Sequence, residues 1–210
     1  MYNALIVDDH PVVRMAIEIL LNRHDINVTG KAANGADAVQ MAKALTPDLI
    51  ILDIAIPVLN GLEVISRVRT LGFETKILVL TSQAATSFAA RCRLAGASGF
   101  VEKTEDMSEL LDAIRAIRSG YTYFPAEPPS NGLMKTATAN DEAERLASLS
   151  NREMMVLIYL AKGYSNLEIG EMMTLSNKTI STYKSRLLMK LGMKTLVDLI
   201  GLAHRHKLVE

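Results

Sequence analysis

Hydrophobic and polar residues fall into two alternating patterns over the first 120 positions. Short apolar runs without alternation occur as ALIV (4–7), LIIL (49–52) and ILVL (77–80), the pattern of strands covered on both faces of a parallel sheet. Between them the apolar period is helical. Val13, Ala16, Ile17, Leu20 and Leu21 recur at i, i+3, i+4, i+7 and i+8 behind Pro11, a residue suited to a first helical turn. Continued along the chain, the pattern predicts strands at 2–7, 26–32, 48–53, 76–81 and 98–102, and helices after Pro11 and at 35–45, 61–71, 84–95 and 107–119. Thr46 with Pro47, and later Gly96, act as stops. Five strands alternating with five helices, joined by crossovers of helical length, imply an α/β domain over 1–120: a doubly wound, five-stranded parallel sheet with helices on both faces.

The pattern changes after Gly120. YTYFPAEPPSN places three of the chain's six prolines within five residues, and KTATAND continues in small and polar residues. Residues 121–148 are therefore expected to be a linker, extended around the prolines and mobile through about residue 140, with 142–149 as a short helical lead-in. From Leu149 to the end the period is helical only. Ser150-Asn151-Arg152-Glu153 and Ser165-Asn166-Leu167-Glu168 both fit the capping box S-x-x-E, in which serine and glutamate satisfy each other's free backbone N–H groups. They mark two helix starts. The first helix runs to about Lys162 before Gly163, and the second, 166–173, is short. A tight turn at Leu175-Ser176-Asn177 leads into a third helix, 178–191, closed by Gly192, and a fourth spans 195–206. Residues 149–210 form an all-α, four-helix domain.

Composition narrows the class. A chain of 210 residues is long enough for one large domain or two small ones, and its 49% hydrophobic content is that of a soluble globular protein. No apolar stretch approaches the roughly 18 residues of a membrane span, so no membrane association and a cytoplasmic location are expected. The single cysteine, Cys92, excludes an internal disulfide framework and zinc-finger spacing. The net charge of zero hides an asymmetry: residues 1–148 carry 14 Lys and Arg against 18 Asp and Glu, whereas 149–210 carry 9 against 5. An acidic first domain suits a cation, and a basic second one suits a polyanion such as nucleic acid.

The candidate chemistry lies at the strand exits, where open α/β sheets bind their ligands. Asp8 and Asp9 follow the first strand, Asp53 the third, Thr81 the fourth and Lys103 the fifth. Each alone would pass as a strand cap or turn former, but five at matching places are expected to converge. Three neighbouring carboxylates need a screening cation, and hard oxygen ligands suit Mg²⁺. Asp53 is then a nucleophile for a phosphoryl group, Lys103 neutralises developing charge, and Thr81 bonds the product oxygen. His10, beside the acids, is expected to make a local turn contact rather than to ligate.

These residues resemble a response-regulator receiver domain. The resemblance implies the strand order 2-1-3-4-5, Mg²⁺ held by Asp8, Asp9 and Asp53 with the backbone carbonyl of Ala55, phosphorylation of Asp53 by a sensor histidine kinase or histidine phosphotransfer domain, and a switch formed by Thr81 and Phe100. The family often carries proline after its lysine, where this chain has Thr104.

On the predicted helix 178–191 the apolar face is Ile180, Tyr183, Leu187 and Leu191, and the opposite face carries Ser181, Thr182 and Ser185. Small polar side chains allow close approach to base edges, with Lys178, Lys184, Arg186 and Lys190 available to phosphates. A short helix and a turn before it suggest a helix-turn-helix. The stretch LSNREMMVLIYLAKGYSNLEIGEMMTLSNKTISTYKSRLLMKL resembles the LuxR-type helix-turn-helix of the NarL/FixJ response regulators, and with GYTYFP the chain is most like the BvgA and EvgA group. The resemblance implies double-stranded promoter DNA as partner, Ser181, Thr182 and Ser185 facing bases, and Lys178, Thr179, Lys184 and Arg186 nearer the backbone. It also implies a homodimer contact on the last helix through Leu196, Leu199, Ile200 and Ala203, a phosphorelay with a hybrid kinase, control of virulence, adhesion or stress genes, and a contact with RNA polymerase. Two other readings stay open at this point: a DNA-binding regulator that uses its receiver only to dimerise, and an aspartate-nucleophile phosphatase. The phosphatase needs a second acid two residues after Asp53, where Ala55 stands.

Overall fold

The structure is a computed structural model that describes residues 2–104, 107–126, 137–206 and 208–209. The chain divides into two compact units, 1–125 and 126–210. In the first, strands β1 (Tyr2–Val7), β2 (Ile26–Ala32), β3 (Leu49–Leu52), β4 (Lys76–Thr81) and β5 (Gly99–Glu102) alternate with helices α1 (Pro11–Asn22), α2 (Gly35–Leu45), α3 (Gly61–Thr70), α4 (Ala85–Ala95) and α5 (Ser108–Arg118). The strands form one parallel sheet in the order β2-β1-β3-β4-β5. All four residues of β3 are buried, because this central strand is covered on both faces. Each such Leu or Ile contributes roughly 1.5–3 kcal/mol of burial.

The register aligns the strand exits. Val7 pairs with Leu52, Leu52 with Val79 and Thr81 with Glu102. The ladder continues one residue further, through Asp53 N–H to the Val7 carbonyl and Lys103 N–H to the Thr81 carbonyl. Asp8, Asp53, Thr81 and Lys103 therefore leave the sheet at one edge.

The expected linker does not begin at residue 121. Tyr123 forms an isolated parallel bridge with Gly99, its N–H bonding the Ser98 carbonyl and its own carbonyl accepting from Phe100 N–H. The exposed edge of β5 offers unpaired backbone groups, and the chain leaving α5 satisfies them. Arg93 stacks on Phe124, with its guanidinium carbon 4.5 Å from the ring centroid. The extended run around Pro128 and Pro129 lies outside the described residues.

The second unit contains α6 (Ala137–Ala147), α7 (Asn151–Ala161), α8 (Asn166–Met173), α9 (Asn177–Leu191) and α10 (Leu196–Arg205). Both expected capping boxes form, at Ser150 with Glu153 and Ser165 with Glu168, and a third forms at Thr195 with Asp198. Met154 to Leu160 of α7 are buried, and Ile169, Ile180, Leu187, Leu191, Leu199, Leu202 and Ala203 join that core. Among the described residues no helix is long and apolar enough to cross a membrane.

Candidate phosphoacceptor site and nucleic-acid interface

Lys103 Nζ lies 2.6 Å from Asp8 Oδ2 and 2.6 Å from Asp53 Oδ2. Asp8 is 1% exposed and Asp53 3%, so one ammonium sits between two sequestered carboxylates. Burial opposes the charge of Lys103, but Asp53, and then Asp8, prevail through charge and hydrogen bonding and raise its pKa above the ordinary lysine value. The other Asp53 oxygen, Oδ1, accepts from the Ala55 N–H at 3.2 Å. Thr81 is fully buried beneath this edge, its Oγ1 accepting from Gln83 N–H. Phe100 is fully buried as well.

Local backbone brings these groups together. Gly61 opens α3 against the turn that follows Asp53: a Cβ there would lie 2.5 Å from the Asp53 carbonyl oxygen. Leu59 N–H bonds the Pro57 carbonyl around Val58, whose φ is 68°. A β-branched residue held at positive φ in so tight a turn is strained, and this turn lies in the loop between Asp53 and α3. On the other side Arg14 donates to the Asp8 carbonyl. No sequence signal marked Arg14, one turn into α1, as part of this edge.

Asp9 is the third acid. Its Oδ1 is shielded from solvent and accepts no hydrogen bond, although His10 Nδ1 lies 2.8 Å away, at ion-pair distance when the ring is protonated. The His10 N–H bonds Asp8 Oδ1 at 2.8 Å, which is the turn contact expected of this residue. Asp8, Asp9 and His10 offer ligand atoms within 4.8 Å of one another. Three carboxylates against one ammonium leave a net negative charge, and with the orphaned Asp9 oxygen this donor set fits a hard divalent cation.

Two features escaped the sequence reading. The cap position before α4 is Ala84, which has no side chain to cap with, and Glu102 supplies the cap from β5 by accepting from the Ala85 N–H. Gln83 is buried with its Oε1 unpartnered. Cys92 is buried in α4, and burial pushes its thiol up to about 12 despite Arg91, which makes it inert.

In the second unit α9 turns Ile180, Leu187 and Leu191 into the core and leaves Lys178, Ser181, Thr182, Ser185 and Arg186 exposed, with Thr179, Tyr183 and Lys184 half-buried. Ser176 caps the helix by accepting from the Thr179 N–H, and the two hydroxyls lie 2.8 Å apart. Thr179 thus helps close the helix start. Lys190, expected at phosphates, instead bonds Glu153 Oε2 at 2.8 Å. Glu153 is 4% exposed and its carboxylate needs that cation.

The dimer expectation for the last helix needs correction at two positions. Leu199 and Ala203 are fully buried in the unit's own core, because i, i+4 spacing places them on the inner stripe of α10. Leu196 and Ile200 are half-buried, and Val197 is 75% exposed.

Comparison with known proteins agrees with this architecture. Residues 4–115 match the response regulator receiver domain, and residues 147–203 match the luxR family of bacterial regulatory proteins. The chain is 47% identical over 209 residues to the virulence-factor transcription regulator BvgA of Bordetella pertussis, covering 99% of this chain and 100% of that protein. It is 39% identical over 206 residues to the DNA-binding transcriptional activator EvgA of Escherichia coli K12, covering 98% and 99%. A solved structure of the RcsB response regulator of Salmonella typhimurium superimposes with a TM-score of 0.72 at 26% identity, covering 98% of each chain.

A doubly wound receiver joined to a helical DNA-binding domain defines a signalling regulator rather than an enzyme. The chain belongs to the response regulators with a LuxR-type helix-turn-helix, and it is a transcriptional regulator.

Proposed function

We propose that Asp53 accepts a phosphoryl group from a phosphohistidine of a sensor kinase or phosphotransfer domain, and that the phosphorylated chain binds promoter DNA as a dimer through α9. The observation that carries this reading is the buried Asp53 sharing one ammonium with Asp8 at 2.6 Å. An Asp53 carboxylate oxygen attacks phosphorus, the bond to the histidine nitrogen breaks, and the leaving imidazole takes a proton. Lys103 stays protonated through neutral pH, and its charge follows the new phosphoryl oxygens. Asp8, Asp9, Asp53 and the Ala55 carbonyl would hold Mg²⁺, which supplies further charge neutralisation. With Ala55 two residues on, no acid is placed to speed turnover, and the phosphoryl group persists as a signal.

The added charge of about −1.5 to −2 draws on the Thr81 hydroxyl, which now bonds Gln83 N–H, and the buried Phe100 responds to the vacated space. Lys178, Lys184 and Arg186 bond DNA phosphates, and Ser181, Thr182 and Ser185 face bases. Dimer contacts on α10 use Leu196, Val197 and Ile200. Kinship with BvgA and EvgA favours a hybrid-kinase phosphorelay and virulence, adhesion or stress genes as targets.

The test is a DNA-binding titration with and without Mg²⁺ and a small phosphodonor, on duplexes selected from a randomised pool. Affinity should rise only when both are present. Equal affinity before and after phosphorylation would instead favour a receiver that serves only to dimerise.

A further inference from the structure

The three exposed hydroxyls of α9 differ in how their protons are used. Thr182 Oγ1 donates to the Lys178 carbonyl at 3.0 Å, and Ser185 Oγ donates to the Ser181 carbonyl at 3.1 Å. A hydroxyl has one proton and two lone pairs. Once the proton is spent on the helix's own backbone, only lone pairs face outward. Ser181 is arranged the other way. Its Oγ accepts from Asn166 Nδ2 at 3.1 Å, and among the described residues it donates to no helix carbonyl. Asn166 is the first residue of α8 after the cap Ser165 and is half-buried. Its amide occupies a Ser181 lone pair across the turn between the two helices and leaves the Ser181 proton to point away from the protein.

We propose that Asn166 is a positioning residue that fixes Ser181 as a hydrogen-bond donor, so that α9 meets DNA with a set polarity: a donor at Ser181 and acceptors at Thr182 and Ser185. The proposal rests on the assignment of α9 as the DNA-facing helix. In the major groove guanine O6 and N7, adenine N7 and thymine O4 accept, whereas cytosine N4 and adenine N6 donate. Ser181 therefore discriminates against cytosine, which offers only a donor, and Thr182 and Ser185 select the amino groups of cytosine or adenine against guanine and thymine. Asn166 touches no base itself. It acts by deciding which half of the Ser181 hydroxyl is free.

Asn166→Asp reverses the logic. A carboxylate accepts only, so it takes the Ser181 proton and turns Ser181 lone pairs outward. An acid in the first turn of α8 also suits the helix dipole, and a thermal melt checks that the variant folds. Full-length wild type, N166D, S181A and the double variant are each treated with Mg²⁺ and phosphodonor and used to select from a randomised duplex pool. N166D should gain cytosine at the expense of guanine and thymine at one position, a roughly fivefold shift in base ratio per net hydrogen bond, with adenine tolerated by both proteins. S181A should flatten that position, and the double variant should match S181A. An N166D profile identical to wild type, a uniform loss across all sequences, or a change that survives in the double variant overturns the proposal. If wild type enriches a motif and N166D leaves it unchanged, only the polarity assignment falls. If wild type enriches no sequence, the DNA-binding assignment falls with it.

Discussion

Each unit contains a lysine bonded to a sequestered carboxylate, and the two arrangements differ in their charge balance. In the second unit Lys190 meets Glu153 at 2.8 Å, one cation for one anion, and Glu153 also accepts from the Ser150 N–H. In the receiver Lys103 meets Asp8 and Asp53 at 2.6 Å each, with Asp9 adjacent and its Oδ1 accepting no hydrogen bond. The balanced pair ties α7 to α9 and holds α9 in place. The unbalanced set stores unfavourable charge at the edge of the sheet, and on the proposed function that surplus is what a cation and a phosphoryl transfer would draw on. Similar contact distances thus accompany a neutralised pair in one unit and a surplus of negative charge in the other.

The largest expected effect separates the two at once. Asp53→Asn should abolish acyl-phosphate formation from a small phosphodonor, because the amide is no nucleophile, while Glu153→Gln should leave it intact. Intact-protein mass after phosphodonor treatment reads the added phosphoryl group. A phosphorylated Asp53→Asn protein would show that the acceptor lies elsewhere.

Stability gives a comparison of opposite sign. Lys190→Met leaves Glu153 buried without its cation and should lower the stability of the second unit by about 2 kcal/mol. That is below the ~3–5 kcal/mol for a fully buried pair, because the Lys190 side chain is 43% exposed and partly screened. Asp9→Asn removes surplus charge and should stabilise the receiver by about 1 kcal/mol in metal-free buffer at pH 8. Added Mg²⁺ should then raise the unfolding temperature of the wild-type receiver more than that of the Asp9→Asn variant. A loss of stability in Asp9→Asn without metal would mean that the site is not charge-strained.

Much of the receiver was legible because its signals are local. LIIL followed by Asp53, ALIV followed by Asp8, and Thr81 and Lys103 at strand ends need only the apolar run and the next residue. The parallel register then does the assembly. What escaped depends on contacts between distant positions: Glu153 with Lys190, 37 residues apart, Asn166 with Ser181, and Glu102 with Ala85. The i, i+3, i+4 pattern of α10 marked a buried stripe correctly, but periodicity does not distinguish a domain's own core from a dimer face. Leu199 and Ala203 were misassigned for that reason, and the start of the linker was misplaced because a single bridge at Tyr123 has no pattern to announce it.

The smallest effect lies in the pH dependence of the two units. Burial works against the Glu153 charge, yet Lys190 and Ser150 hold its pKa below the ordinary 4.5. A depressed carboxylate contributes stability that is present above its unfolded pKa and lost as pH falls through its folded one. Lys103 is displaced the other way, above 10.5, so its contribution is present below that value and lost as pH rises through the raised pKa. The second unit should therefore weaken on the acid side, below about pH 4.5, and the receiver on the alkaline side, above about pH 10.5. Glu142, Glu168 and Asp198 are also depressed, by hydrogen bonds from Arg205, Ser165 and Thr195 respectively, so Glu153→Gln should make the acid limb shallower without removing it. One proton accounts for at most about 1.4 kcal/mol per pH unit. Chemical denaturation of the full chain, followed as two transitions between pH 3.5 and 6, measures that slope. An acid limb as steep in Glu153→Gln as in the wild type would show that the Lys190 pair is not coupled to folding, and the contrast between the two lysines would then rest on the receiver alone.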